Sequence, residues 1–246
     1  MANNVRTHDL SLPLDGTKSA TVDIDTDSGN LTIDRLTGGE EQLLASGTLQ
    51  YFEKQGQPTP TLTSNNGQAT LVLKGGHARR PLFRLPWAAC IGAYEWRIHL
   101  NPEVSSDIGA HSSGGNVKLD LTGMAVTQLS AETGGGNVDV VLPDKAADLD
   151  VVAKTGAGNV SVEIGSAITG TNTVDAKSGA GNVVVRVPSG IAAELHATSG
   201  LGKVIVDPRF GKMDGNTYQL PDYDRAADKV EITLHSGAGN VSVTTK

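Results

Sequence analysis

From about residue 106 onward the chain alternates apolar and polar positions in short runs separated by glycine. One run reads Val-x-Val. Its first column is Val117, Val138, Val160, Val183, Val204 and Val241, and two residues on stand Leu119, Val140, Val162, Val185, Val206 and Val243. Between them lie Lys118, Asp139, Ser161, Val184, Ile205 and Ser242. A period of two predicts a strand with one buried face and one wet face. A second strand is predicted before each glycine cluster, with core columns Ile108, Leu129, Val151, Val174, Leu195, Ile232 and Ala110, Ala131, Ala153, Ala176, Ala197, Leu234. The next position holds His111, Glu132, Lys154, Lys177, Thr198 and His235, a column without common chemistry that is expected to face solvent.

The clusters between the two strands are copies of one phrase, Ser/Thr-Gly-x-Gly-Asn-Val. It is found around Asn116, Asn137, Asn159, Asn182 and Asn240, and as Ser199-Gly-Leu-Gly-Lys-Val204. From Asn116 to Lys203 the successive steps are 21, 22, 23 and 21 residues. A fixed period in this range without helical signal predicts an all-β chain, a single elongated β-solenoid of 21–23-residue coils. Glycine in the turns is expected to supply positive φ, and asparagine to tolerate the left-handed region and bond to the next asparagine along the stack. No helix follows any turn, so a phosphate cradle is not expected. These asparagines are structural.

The pattern reaches back, less regularly, to Thr21–Ile33, which has the same strand, Gly-Asn turn and strand order. Trp96 stands 21 residues before Val117, and 47–51 and 67–73 read as degenerate strands. The expected organisation is an irregular N-terminal β region, 1–105, continuous with regular repeats over 106–246. An insertion at 207–229 interrupts those repeats, and Phe210, Tyr218 or Leu220 from it is expected to pack over the apolar outer residues Val184 and Ile205.

A net charge of −7 and few basic clusters argue against a nucleic-acid partner. The one cysteine, Cys90, excludes an internal disulfide and reads as a small buried residue. The first residues have no signal-peptide core and no run is long enough to span a membrane. The compartment is thus either the cytoplasm or, if an anchor was removed, the extracytoplasmic cell envelope.

Residues with catalytic or metal-binding chemistry are scattered. No histidine pair has ligand spacing, no serine sits in a nucleophile elbow, and Asp214, Asp222 and Asp224 lack the spacing of a calcium loop. No catalytic residue, metal or cofactor is expected. A carbohydrate-active site would need two carboxylates facing each other across a groove, and no such pair is predicted. The exception to the acidic, aromatic-poor background is 77–90, where Arg79, Arg80 and Arg84 stand beside Phe83 and Trp87. Exposed, that mixture suits a protein partner or a lipid head-group surface; the alternative is that Phe83, Leu85 and Trp87 fold back to cover the sheet while the arginines pair with nearby acids.

The repeated turns, Trp96-Arg-Ile-His-Leu-Asn-Pro102, and Tyr218 and Tyr223 before the Val-Glu-Ile-Thr-Leu234 strand resemble bacterial toast-rack domains. These belong with a broader group of adhesin-like β-solenoids, and the resemblance runs from about residue 20 to the end. It implies a cell-envelope setting in which relatives carry lipid or membrane anchors, and a function that is largely unassigned. It carries over no catalytic residues. The expected role is a non-catalytic binding or scaffold module. The alternative is self-assembly through terminal coils, prompted by the final strand Asn240–Lys246, after which no sequence follows to cover it.

Overall fold

The structure, a computed structural model, describes residues 4–75 and 94–246. Among them the only helix is two single 3-10 turns, Glu53–Gln55 and Tyr223–Arg225. The N-terminal region supplies β1 (Val5–Pro13), β2 (Ser19–Asp25), β3 (Asn30–Arg35), β4 (Leu43–Phe52), β5 (Thr59–Asn65), β6 (Gln68–Lys74) and β7 (Glu95–Leu100). The regular part begins with β8 (Ser105–Ser112), β9 (Val117–Asp120), β10 (Val126–Thr133), β11 (Val138–Val141), β12 (Asp150–Ala157) and β13 (Val160–Glu163). It continues with β14 (Thr171–Ala180), β15 (Val183–Val187), β16 (Ala192–Ser199) and β17 (Val204–Val206). A small hairpin, β18 (Gly211–Lys212) and β19 (Thr217–Gln219), precedes β20 (Lys229–Ala238) and β21 (Val241–Thr245).

The chain is all-β, and its strands form two large open sheets. One has ten strands in the order β1-β4-β7-β3-β9-β11-β13-β15-β21-β17. The other has eleven, β18-β19-β16-β20-β14-β12-β10-β8-β2-β6-β5. From β8 onward each pass of the chain lays a strand in the larger sheet, turns through glycine, and lays the next in the smaller. Neighbouring passes pair in parallel, so like positions stand side by side. Val117, Val138, Val160, Val183, Val241 and Val204 form one such row. Ala110, Ala131, Ala153, Ala176, Leu234 and Ala197 form another on the facing sheet.

Both rows point into the space between the sheets. All their members are buried except Val204, which is half-buried at the end of its row. Each fully buried valine contributes about 1.5–3 kcal/mol. A one-residue slip would turn the whole row out to solvent, which fixes the register. Among the described residues an apolar gap of about 10 Å³ lies near Leu142, Leu149 and Ile164, room for no more than a water.

Several expectations change here. The passes are not stacked in chain order. Strands β20 and β21 slot between the passes before and after them in space, β14–β15 and β16–β17. The final strand is therefore interior, and the argument for assembly through it does not hold. At the other end β2 and β3 likewise lie between β6–β7 and β8–β9. Antiparallel strands end both sheets at one end, β1 and β4 in one and β5 in the other, whereas at the opposite end only the eleven-stranded sheet has them, β19 and β18. Strand β1 is a strand the repeat does not announce.

The insertion closes the core end instead of covering the outer face. Phe210 and Leu220 are buried in the core cluster with Tyr218 packed against it, while Ile205 stays 51% exposed. An apolar side chain gains most where strands stop and the inter-sheet space lies open, and the end of the stack is such a place.

Candidate functional site

The glycine turns of successive passes lie on one edge of the molecule, and two hydrogen-bond ladders run through them. In the first, the side-chain carbonyl of each asparagine accepts the backbone N–H at the same position of the next pass. Asn30 accepts from Asn116 and Asn116 from Asn137 at 2.9 Å, Asn137 from Asn159 at 2.8 Å, and Asn159 from Asn182 at 2.9 Å. Asn182 accepts from Asn240 at 2.9 Å, and Asn240 from Lys203 at 3.0 Å. The ladder ends at Lys203, whose side chain has no carbonyl, in the one turn beyond which no further pass is stacked.

In the second ladder the Ser/Thr hydroxyl donates to the carbonyl of the glycine that precedes the asparagine in the adjacent turn. Ser112 donates to Gly29, Thr133 to Gly115, Thr155 to Gly136, Ser178 to Gly158, Ser236 to Gly181 and Ser199 to Gly239, all at 2.7–2.9 Å. The recurrence of Ser or Thr at this position was its visible signal. Glycine proves necessary for close approach more than for φ. A Cβ on Gly136 would lie 2.2 Å from the Gly115 carbonyl oxygen, and one on Gly239 2.2 Å from that of Gly181. Of the repeat-turn glycines only Gly158 and Gly181 have positive φ, 158° and 154°, and none of the turn asparagines does. Stacking at strand spacing leaves no room for a side chain there.

On the outer face of the eleven-stranded sheet the column beside the turns runs Asp25, His111, Glu132, Lys154, Lys177, His235 and Thr198. Half-buried pairs lie here, Lys154 with Glu132 at 4.0 Å within the column and Lys177 with Asp175 of the adjoining column at 2.7 Å. Such pairs contribute little to stability, so this face is chemically available rather than structurally committed. Asp25, His111, Glu132 and Lys154 line an open recess with the turn residues Ser113 and Gly134.

The fold also joins two carboxylates that are remote in sequence. Glu194 and Glu231 stand in direct register on β16 and β20. Tyr223 donates its hydroxyl proton to Glu231 at 3.1 Å, and Lys229 lies 4.8 Å from the centre of its ring. Burial, then the bond to Glu231, pushes the Tyr223 hydroxyl up to about 12, so it remains a donor at neutral pH. The arrangement pins the 222–226 turn over the sheet. Sequence reading missed it, because these glutamates are 37 residues apart and pair through an out-of-order pass.

A family model described as the N-terminal domain of toast_rack, DUF2154, matches residues 1–163, about two thirds of the chain. The chain belongs to the toast-rack family. A solved structure from Clostridium sporogenes, named as a candidate cell adhesion protein, is 18% identical with a TM-score of 0.71. The match covers 99% of this chain and 100% of that one, and it shows the shared fold. A candidate adhesin from Bacteroides fragilis is 11% identical over 99% of this chain and 98% of its own, but its TM-score of 0.33 carries no argument. No curated protein matches the chain.

For this toast-rack chain, the expected contact residues Arg79, Arg80, Phe83, Arg84 and Trp87 lie outside the described residues, as does Cys90. What is described is where their segment leaves and returns. The Gly75 N–H donates to the Asp25 carbonyl at 2.7 Å, and Tyr94 donates its hydroxyl proton to the Thr26 carbonyl. Both anchors flank the Gly29–Asn30 turn, where a Cβ on Gly29 would lie 2.4 Å from the Tyr94 ring. Burial pushes the Tyr94 hydroxyl above its ordinary pKa. Among the described residues no three His, Cys, Asp or Glu side chains gather as a metal site, and no helix is long and apolar enough to cross a membrane.

Proposed function

We propose that this protein is a non-catalytic, adhesin-like binding or scaffold module of the cell envelope. In this reading it is one continuous β-solenoid of 21–23-residue coils, irregular over 1–105 and regular over 106–246. The observation that carries the reading is the division of chemistry between inside and outside. The interior is filled by apolar rows, while the charged columns lie on broad sheet faces and the asparagines line an edge. A surface of this kind binds through extended contact, and its polar groups are spread along the stack rather than converging on a reacting atom. The adhesion-related description of the Clostridium protein, on the same fold, supports the same reading.

Within it, Arg79, Arg80, Phe83, Arg84 and Trp87 are the contact residues, supplied by a segment whose two anchors sit on the turn edge. The test is co-sedimentation of the full chain with purified bacterial envelope fragments and flotation with anionic and with neutral vesicles. The Arg79→Ala/Arg80→Ala/Arg84→Ala variant is expected to lose most of the binding that the unchanged chain shows. Equal binding by both chains would remove the segment from the proposal. Absence of binding by the unchanged chain to fragments and vesicles alike would remove the envelope role.

A further inference from the structure

Strand β17 is an open edge. It pairs with β21 on one side, and among the described residues no strand of the sheet lies on the other. In a parallel pair alternate residues direct their N–H and C=O groups to opposite sides. The Val241 N–H donates to the Lys203 carbonyl and the Asp207 N–H to the Val243 carbonyl. The backbone groups of Lys203, Ile205 and Asp207 therefore face β21, and those of Val204 and Val206 face the open side.

The exposed positions of this pass depart from every neighbour. At the middle of the turn the other passes carry Ser28, Gly114, Gly135, Ala157, Ala180 and Ala238, and this one carries Leu201, 87% exposed. Where β21 places Ser242 outward, β17 places Ile205. Met213, beside the hairpin at the same end, is 61% exposed. Three of the four large exposed apolar residues among the described ones thus share one end of the stack.

We propose that β17 pairs antiparallel with β17 of a second copy of this chain, about a two-fold axis through Ile205. Val204 then meets Val206 of the second copy, and Val206 meets its Val204. Their outward N–H and C=O groups form four backbone bonds. Ile205 faces its own counterpart at a non-hydrogen-bonded position, with Cβ atoms about 4.5–5.5 Å apart. One step further out, Lys203 faces Asp207 of the second copy on the same outer face, and the symmetry makes this pair twice.

The charge match is what selects a second copy over an unrelated strand. A lysine on an edge strand ordinarily repels an incoming one, but in this register it meets a carboxylate. Asp207 is already held by its own chain: bonds from Thr245 and the Arg209 N–H keep its carboxyl below the usual carboxylate range, and the Arg209 guanidinium lies 3.4 Å away, so Lys203 of the second copy joins an existing ion pair. Three residues beyond the axis pair, Gly202 meets Pro208, which has no N–H, so the ladder stops there. The contact is short and the dimer weak. It joins two ten-stranded sheets into one continuous sheet and points the two N-terminal ends away from each other. This assembly is independent of the binding role proposed above.

Sedimentation equilibrium of the full chain from micromolar to millimolar concentration tests it. A monomer–dimer equilibrium is expected, with Ile205→Lys raising the dissociation constant at least about tenfold and leaving thermal melting unchanged. In a Cys90→Ser background, Ile205→Cys is expected to form a disulfide-linked dimer under mild oxidation far faster than Ser161→Cys, which places its thiol on an interior strand of the same sheet. A chain monomeric throughout the range overturns the proposal. So does a dimer indifferent to Ile205→Lys, or equal cross-linking of the two cysteine variants.

Discussion

The middle of the stack and its two ends use the same strands and turns but are held by different means. Between Ser105 and Val187 each pass adds the same set of contacts to the last: a Val row, an Ala row, an asparagine bond and a hydroxyl bond. No Phe, Trp or Tyr stands there. At the N-terminal end the core depends on Trp96, fully buried, with its indole N–H donating to the Gln50 carbonyl at 2.8 Å. Phe52 and Tyr94 meet edge to face nearby, their ring centres 5.6 Å apart. At the other end Phe210 and Leu220 close the core. A repeating interior can be built from small residues because each pass is covered on both sides, whereas a terminal pass has one uncovered side and needs bulk or strand reversal to close it.

The strongest way to break this contrast is Trp96→Ala. It is expected to cost about 3–5 kcal/mol, against about 2 kcal/mol for Val160→Ala in the middle, read by denaturant unfolding. Equal losses would mean that the ends are no more dependent on single residues than the interior.

The next effect sharpens the account of the turns. Gly136→Ala pushes a methyl group against the Gly115 carbonyl and is expected to cost about 2–3 kcal/mol. Its neighbour Gly135→Ala meets nothing nearer than the Gly114 Cα at 3.9 Å and should fall within about 0.5 kcal/mol of the parent. A matching cost at both positions would show that close approach of the stacked backbones is not what requires glycine at Gly136.

A smaller difference separates an inner rung of the asparagine ladder from its last. Asn137→Ala removes the acceptor of the Asn159 N–H and is expected to cost about 1 kcal/mol. Lys203→Asn adds a carbonyl where no further pass offers a donor, and should change the melting temperature little. Stabilisation by Lys203→Asn comparable to the Asn137 loss would show that the ladder does not need a neighbour.

The smallest effect belongs to pH. Tyr223 has a folded pKa raised from its ordinary value of 10.0 to about 12. Its contribution is therefore fully present below pH 10 and is lost as pH rises through 12. Melting temperature should fall over that window, and less steeply in Tyr223→Phe. Identical slopes for the two chains would detach this tyrosine from the stability of the C-terminal end.

The repeat phrase alone determined a good deal. Alternation assigned the buried rows, and the turn spacing assigned which residues lie side by side along β8 to β15, because both follow from the period-two geometry of strands and from bonds between equivalent positions. The ladder asparagines were legible for that reason. Even the end of the stack left marks, Lys203 in place of asparagine and Leu201 in place of alanine, although their meaning depends on knowing that nothing follows them in space. The tertiary structure decided the order of the passes. The turn-and-strand units are nearly interchangeable, so local sequence cannot say which pass neighbours which. The order departs from the chain where β4 to β7 come between β3 and β8 in sequence, and where 207–228 come between β17 and β20. The same crossing created the Glu194–Glu231 pair, buried the final strand, and left β17 as the open edge.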